Sequence, residues 1–214
     1  ALWVWLQTGV QTQVLPSNLF EARHGSYRQL FGANLCNRAA NSEYQTRLIF
    51  RDYIMQLTDA KCTLANNCIR TWIFVQNVDV NYPGVVKARK EVFATQNLTE
   101  NTHFIASTGI EGRYQDTSVY VTMDTYAVSG IGQEQIQYLY APNHLSRTYE
   151  YGVTFERGVA ITYGDRRHVF VSGTASIDRY GEIVYPGDVI KQSERMVENI
   201  TALLNEAGAD QNDI

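Results

Sequence analysis

The sequence predicts an α+β fold built from two units in tandem, each a mixed sheet with helices on one face. Three observations carry this expectation. An amphipathic helix signal occurs twice, β-rich segments containing a glycine precede it both times, and strands alternate with helices in the same order around it. The second unit reads as incomplete.

The later copy is the clearer one. Residues 168–177 alternate Val169, Val171 and Gly173 against Phe170, Ser172 and Thr174, the period of a strand. Asp178-Arg179-Tyr180-Gly181 turns the chain, residues 182–185 form a short returning strand, and Pro186-Gly187-Asp188 gives a stop followed by an N-cap. Val189, Met196, Val197, Ile200, Leu203, Leu204 and Ala207 then recur at helical spacing, with Gly208 as the C′ residue. When Gln192 is placed over Gln45, Met196, Val197, Ile200, Leu204 and Ala207 fall without a gap on Ile49, Phe50, Tyr53, Leu57 and Ala60. Ser42 and Gln45 supply the earlier helix with a capping box.

In chain order, residues 2–6 are strand-like with Trp3 and Trp5 on one face, residues 27–35 form a further strand, and residues 37–41 a polar loop. Residues 68–76 are apolar on both faces apart from Arg70, which marks an interior strand. Asn81-Tyr82-Pro83-Gly84 opens a second helix with Val85, Ala88, Val92 and Phe93 as its buried stripe. Residues 103–111 and 118–128 complete the first unit, 1–128. Residues 129–134 are the linker, with Gly130 and Gly132 as flexible points. The second unit, 135–214, opens with a strand at 135–140 and continues as a hairpin of 159–163 with 167–173 across Gly164-Asp165. Under the alignment Ile214 falls over Asn67, so this unit is expected to be truncated after its first helix. Trp72, Phe74, Tyr120 and Tyr126 suit either a surface between units or a private core.

Composition narrows the function. A net charge of −4, with Arg166-Arg167 as the one local basic pair, argues against nucleic-acid binding and reads as a solvated hairpin tip. Cys36, Cys62 and Cys68 have neither disulfide-framework nor zinc spacing, and reduced thiols suggest a cytoplasmic protein. No stretch reaches membrane-spanning length. The sequons at Asn97 and Asn199 read as coincidence. His24, His103, His144 and His168 show no metal-ligand pairing, and no P-loop, G-x-G-x-x-G or G-x-S-x-G is present, so no metal and no cofactor are expected.

The run FVSGTASIDRYGEIVYPGD at 170–188, Gln192 and the helix end ENITALLNEAGA at 198–209 resemble the Rid superfamily, also called YjgF. The first unit resembles it over 31–128, most clearly in RTWIFVQNVDVNYPGVVKARKEVF and HFIASTGIEG. The resemblance implies a chorismate-mutase-like fold, trimeric or pseudo-trimeric assembly, and small-molecule sites in clefts between subunits. In the deaminase branch an arginine binds the substrate carboxylate and a glutamate handles water. Those positions fall here at Ser107 and Asp124, at most a remnant site. The chorismatases, tandem proteins with a degenerate first unit, are similar at Tyr151-Gly152-x-x-Phe155-x-Arg157 and Ser172-Gly173-Thr174-Ala175-Ser176.

That likeness implies Arg157 as the carboxylate anchor, Gly173 as a point of close ligand approach, Thr174 as a hydroxyl partner, and Tyr151 and Phe155 beside them. The general acid would come from strands after Ile214. The plainer reading gives Arg157 a surface salt bridge and Gly173 a strand bend. The leading expectation is a protein that binds a small carboxylate, with release of pyruvate from chorismate as the activity. The alternatives are an imine deaminase active in its second unit, and a noncatalytic ligand-binding or assembly protein.

Overall fold

The structure, a computed structural model, describes residues 4–214. Its first half is a six-stranded mixed sheet in the order β1-β2-β3-β6-β4-β5, made of β1 (Gln11–Val14), β2 (Phe20–His24), β3 (Tyr27–Cys36), β4 (Cys68–Val75), β5 (Ala106–Glu111) and β6 (Val121–Ser129). All neighbours are antiparallel except β4 and β5. Helices α1 (Ser42–Asp59) and α3 (Val78–Thr95) cover one face, and a short α2 (Leu64–Asn67) leads into β4. A three-stranded antiparallel sheet follows, β7 (Ile136–Leu139), β8 (Gly158–Thr162) and β9 (Arg167–Val171), and then α4 (Val189–Glu206). The run β7-β8-β9-α4 repeats β1-β2-β3-α1 in strand order, direction and helix length, 18 residues in each helix. The α+β class with tandem units is therefore plain in the topology.

Three apolar cores separate four layers. Ile49, Phe50, Tyr53 and Leu57 of α1, with Val85 and Phe93 of α3, close on Leu30, Ile73, Val75, Val121 and Met123 of the first sheet. The opposite face of that sheet packs on the second sheet through Ile69, Tyr126 and Val128 against Val159, Ile161 and Tyr163. The second sheet's far side receives Leu203 and Ala207 of α4. Strands β6 and β8 thus bury alternate residues in different cores, Met123 and Ala127 against Tyr126 and Val128, and Val159 and Ile161 against Ala160, as a period of two requires. Trp72 and Tyr126 lie on the face between the sheets, whereas Tyr120 packs on the helical side and Phe74 lies half-buried beside Gly112.

Several boundaries differ from the sequence expectation. Of the N-terminal strand-like run, Trp3 lies outside the described residues, and Val4 to Leu6 form no strand; Trp5 instead packs among Phe31, Tyr126, His168 and Phe170. The hairpin β1–β2 was not expected. Asn41, not Ser42, caps α1 by accepting the Tyr44 N–H at 3.0 Å. The Gln45 side chain turns inward, donating to the carbonyls of Ala39 and Ser118 and accepting from the N–H groups of Tyr120 and Val121. Helix α3 begins at Val78, earlier than Pro83 suggested, because Glu111 accepts the N–H groups of Asn77 and Val78 and so satisfies its first turn.

Gly130 is a fixed point rather than a flexible one, since a Cβ there would stand 2.2 Å from the Ser26 carbonyl oxygen. Strand β9 stops at Val171, and of the returning strand only the bridge between Ile177 and Ile183 forms. Helix α4 is rotated from the expected face. Val189 is 72% exposed and Val197 49%, while Asn199 is fully buried, because Asn199 donates to the carbonyls of Ala175 and Ile177 and Arg195 to those of Ile177 and His144. Arg167 is no idle hairpin charge; it donates to the Ala207 carbonyl at the C-terminus of α4.

Candidate functional site between the two sheets

β5 is the edge of the first sheet, and the segment leading into β8 runs alongside it. Glu156 and Ala106 form a parallel bridge, the Ser107 N–H donates to Ser172 Oγ at 2.9 Å, and the Gly173 N–H donates to Thr108 Oγ1 at 3.0 Å. Above this seam opens a cavity of about 410 Å³. Arg157, Gly173, Thr174, Tyr151 and Phe155, the residues singled out in the second unit, all line it, and Ser107 lines it from the first. Asp124 does not. It sits on β6, separated from β5 by β4, and accepts the Asn34 N–H at 2.6 Å, so the two positions of the expected remnant site are apart.

Arg157 forms no surface salt bridge. It is 3% exposed, and the Ser146 carbonyl accepts from its Nε at 3.1 Å and its Nη2 at 2.9 Å. Its guanidinium carbon lies 5.4 Å from the Tyr151 ring centroid and 5.6 Å from that of Phe155, within cation–π range. Burial lowers its pKa and raises that of Tyr151.

Sequence reasoning passed over Arg89. It occupies the buried stripe of α3 between Ala88 and Val92, is 1% exposed, and lines the same cavity. Nη1 lies 3.4 Å from Ser107 Oγ, while Nε and Nη2 have no partner. A charged residue within an otherwise apolar stripe was the available signal. Tyr82, on the same helix, shields Gly109, where a Cβ would stand 2.5 Å from its ring. None of the lining residues is acidic. A pocket lined by two arginines and no carboxylate is electrostatically suited to an anion.

No protein-family model matches the chain. A crystal structure of a chorismatase superposes on 92% of it with a TM-score of 0.68 and 18% identity. The fold is that of a chorismatase. The chain spans 59% of that protein's length. A RutC family protein of Pyrococcus abyssi is 51% identical over 47 residues, 22% of this chain and 36% of that protein. The YjgF gene product of E. coli, at 18% identity and a TM-score of 0.42, covers 51% of this chain and 85% of its own. The cavity lies where the edge strand β5 of the first sheet meets the segments flanking β8 and β9 of the second. Among the described residues no helix is long and apolar enough to cross a membrane.

Proposed function

We propose that the cavity between the two sheets binds a small carboxylate metabolite, and that the protein is a chorismatase-like enzyme that hydrolyses chorismate to release pyruvate. The observation that carries the reading is Arg89: a buried guanidinium with two unpartnered nitrogens, lining together with Arg157 a cavity without acidic residues. Leaving such a group unpaired is costly, and a carboxylate would satisfy it. In this scheme Arg89 and Arg157 hold the ligand's anionic groups, Tyr151 and Phe155 cover its apolar part, and Gly173 and Thr174 let it approach the seam. Hydrolysis protonates the methylene carbon of the enol ether, adds the hydroxyl of water to the adjacent carbon, and splits the resulting hemiketal into pyruvate and an alcohol that takes up the hydroxyl proton, so a proton donor is needed at the methylene carbon. That role is not assigned to any lining residue.

A second reading, an imine deaminase, draws support from Arg89 as well, since its Nη1 reaches Ser107, the position where the deaminase branch carries its arginine. Assembly as a homotrimer or pseudo-trimer belongs to the same proposal and is measured by light scattering. The deciding experiment is titration of chorismate by calorimetry together with a coupled pyruvate assay. Binding with pyruvate release is expected. Ammonia release from an amino-acid-derived imine would move the assignment to the deaminase, and failure to bind any small carboxylate at millimolar concentration would leave a noncatalytic assembly role.

A further inference from the structure

Arg70 is the one charged side chain on the interior strand β4, and it is 4% exposed. Among the described residues it has no ion-pair partner. Its Nη1 donates to Ser172 Oγ at 3.1 Å and its Nη2 donates to Thr108 Oγ1, while its guanidinium carbon lies 5.2 Å from the Trp72 ring centroid. The two hydroxyls it touches stand on opposite sides of the seam. Ser172 Oγ accepts from Arg70 and the Ser107 N–H and donates to the Glu156 carbonyl, which completes its capacity.

Thr108 is different. A hydroxyl has two lone pairs and one proton. Its oxygen already accepts from Arg70 Nη2 and from the Gly173 N–H, so both lone pairs are engaged. The proton is the only capacity left, and Thr108 lines the cavity. We propose that Thr108 is a ligand-binding residue held as an obligate donor by Arg70 and the Gly173 amide, so that it requires an acceptor on the ligand, best supplied by a carboxylate or carbonyl oxygen. Gly173 is part of the device: a Cβ there would come within 3.2 Å of Thr108 Cγ2, so the threonine would have to give by a few tenths of an ångström. Arg70 acts through Thr108 and is a positioning residue. This rests on the carboxylate reading above.

The test titrates chorismate into the wild type, Thr108→Val, Thr108→Ser, Arg89→Gln, Arg70→Met and the Arg70→Met/Thr108→Val double variant, with melting temperatures recorded for each. A hydrogen bond to a charged acceptor corresponds to roughly 10-fold or more in affinity, so Thr108→Val is expected to weaken binding by about that factor. Thr108→Ser, which keeps the hydroxyl, should stay within about threefold of wild type. In the Arg70→Met background, Thr108→Val should cost less than about threefold, because the hydroxyl is no longer constrained. A merely structural role for either residue would lower melting temperature without that coupling. If Arg89→Gln weakens binding and Thr108→Val does not, the carboxylate site stands and the donor assignment falls. Absence of binding by the wild type overturns both.

Discussion

Glu156 and Phe104 join the two halves of the chain: Glu156 Oε1 accepts the Phe104 N–H at 2.8 Å, and the adjacent Glu156 N–H donates to the Ile105 carbonyl at 3.1 Å. The carboxyl is 3% exposed, and burial holds its pKa above the ordinary value of 4.5 although the Phe104 N–H opposes the shift. A carboxyl with a raised folded-state pKa binds its proton more tightly folded than unfolded. Its contribution to stability is present in full below about 4.5 and declines as pH rises through the folded pKa. Glu156→Gln keeps the acceptor oxygen and cannot ionise. Relative to wild type it should gain stability from pH 4 to pH 8, measured by denaturant unfolding, whereas Glu156→Ala should lose about 1–3 kcal/mol by stranding the Phe104 N–H. A Glu156→Gln profile parallel to the wild type's would exclude Glu156 as the source.

Arg157 has a structural duty beside the ligand-binding one proposed for it. Arg157→Ala removes two bonds to the Ser146 carbonyl from a buried position, so both ligand affinity and melting temperature should fall. Arg157→Lys retains the charge without the planar fork. It should recover part of the stability and still bind a carboxylate at least about 10-fold more weakly. Wild-type affinity in Arg157→Lys would show that the fork does not face the ligand.

Gly130→Ala tests how firmly the two halves are joined. The residue has φ +84°, and a Cβ would stand 2.2 Å from the Ser26 carbonyl oxygen and 3.0 Å from Tyr27 Cα. Backbone must shift on both sides, at a cost of about 2 kcal/mol or more. The melting temperature should drop by roughly 4–8 °C. An unchanged value would mean that this segment is as loose as its composition suggested.

What the sequence revealed was what repeats locally. The period-two strands β3, β4 and β8–β9, the Asp188 cap and the Gly208 end of α4 follow from side-chain pattern and turn chemistry over a few residues. The second-unit half of the site was legible as well, because Tyr151, Phe155, Arg157, Gly173 and Thr174 lie in two short motifs. The other half was hidden for a physical reason. Arg89, Tyr82 and Thr108 reach the cavity through the packing of α3 and β5 against the second sheet, a long-range arrangement that helix and strand periods do not encode. The face of α4 was misjudged similarly, since hydrophobic period alone gives Val189 and Val197 precedence over a buried asparagine.

That asparagine carries the last prediction. Asn199 is fully buried in α4, and its Nδ2 donates to the carbonyls of Ala175 and Ile177, both at 3.1 Å, while its Oδ1 has no partner. Ala175 and Ile177 also line the cavity, so one side chain ties the irregular segment after β9 to the helix beneath it. Asn199→Leu would fill similar space and take one donor from each carbonyl, leaving Ala175 with the Ile177 N–H and Ile177 with Arg195. The expected loss is about 1–3 kcal/mol in unfolding free energy, the net worth of two hydrogen bonds. Asn199→Asp retains the size but offers no donor, and it should be at least as damaging at neutral pH, where a carboxylate would face two carbonyl oxygens. Hydrogen exchange should place the increase in opening at residues 174–178 and 184. If Asn199→Leu were as stable as wild type and exchange there unchanged, the segment would owe its position to Arg195 and to the bonds between Ser176 and Val184.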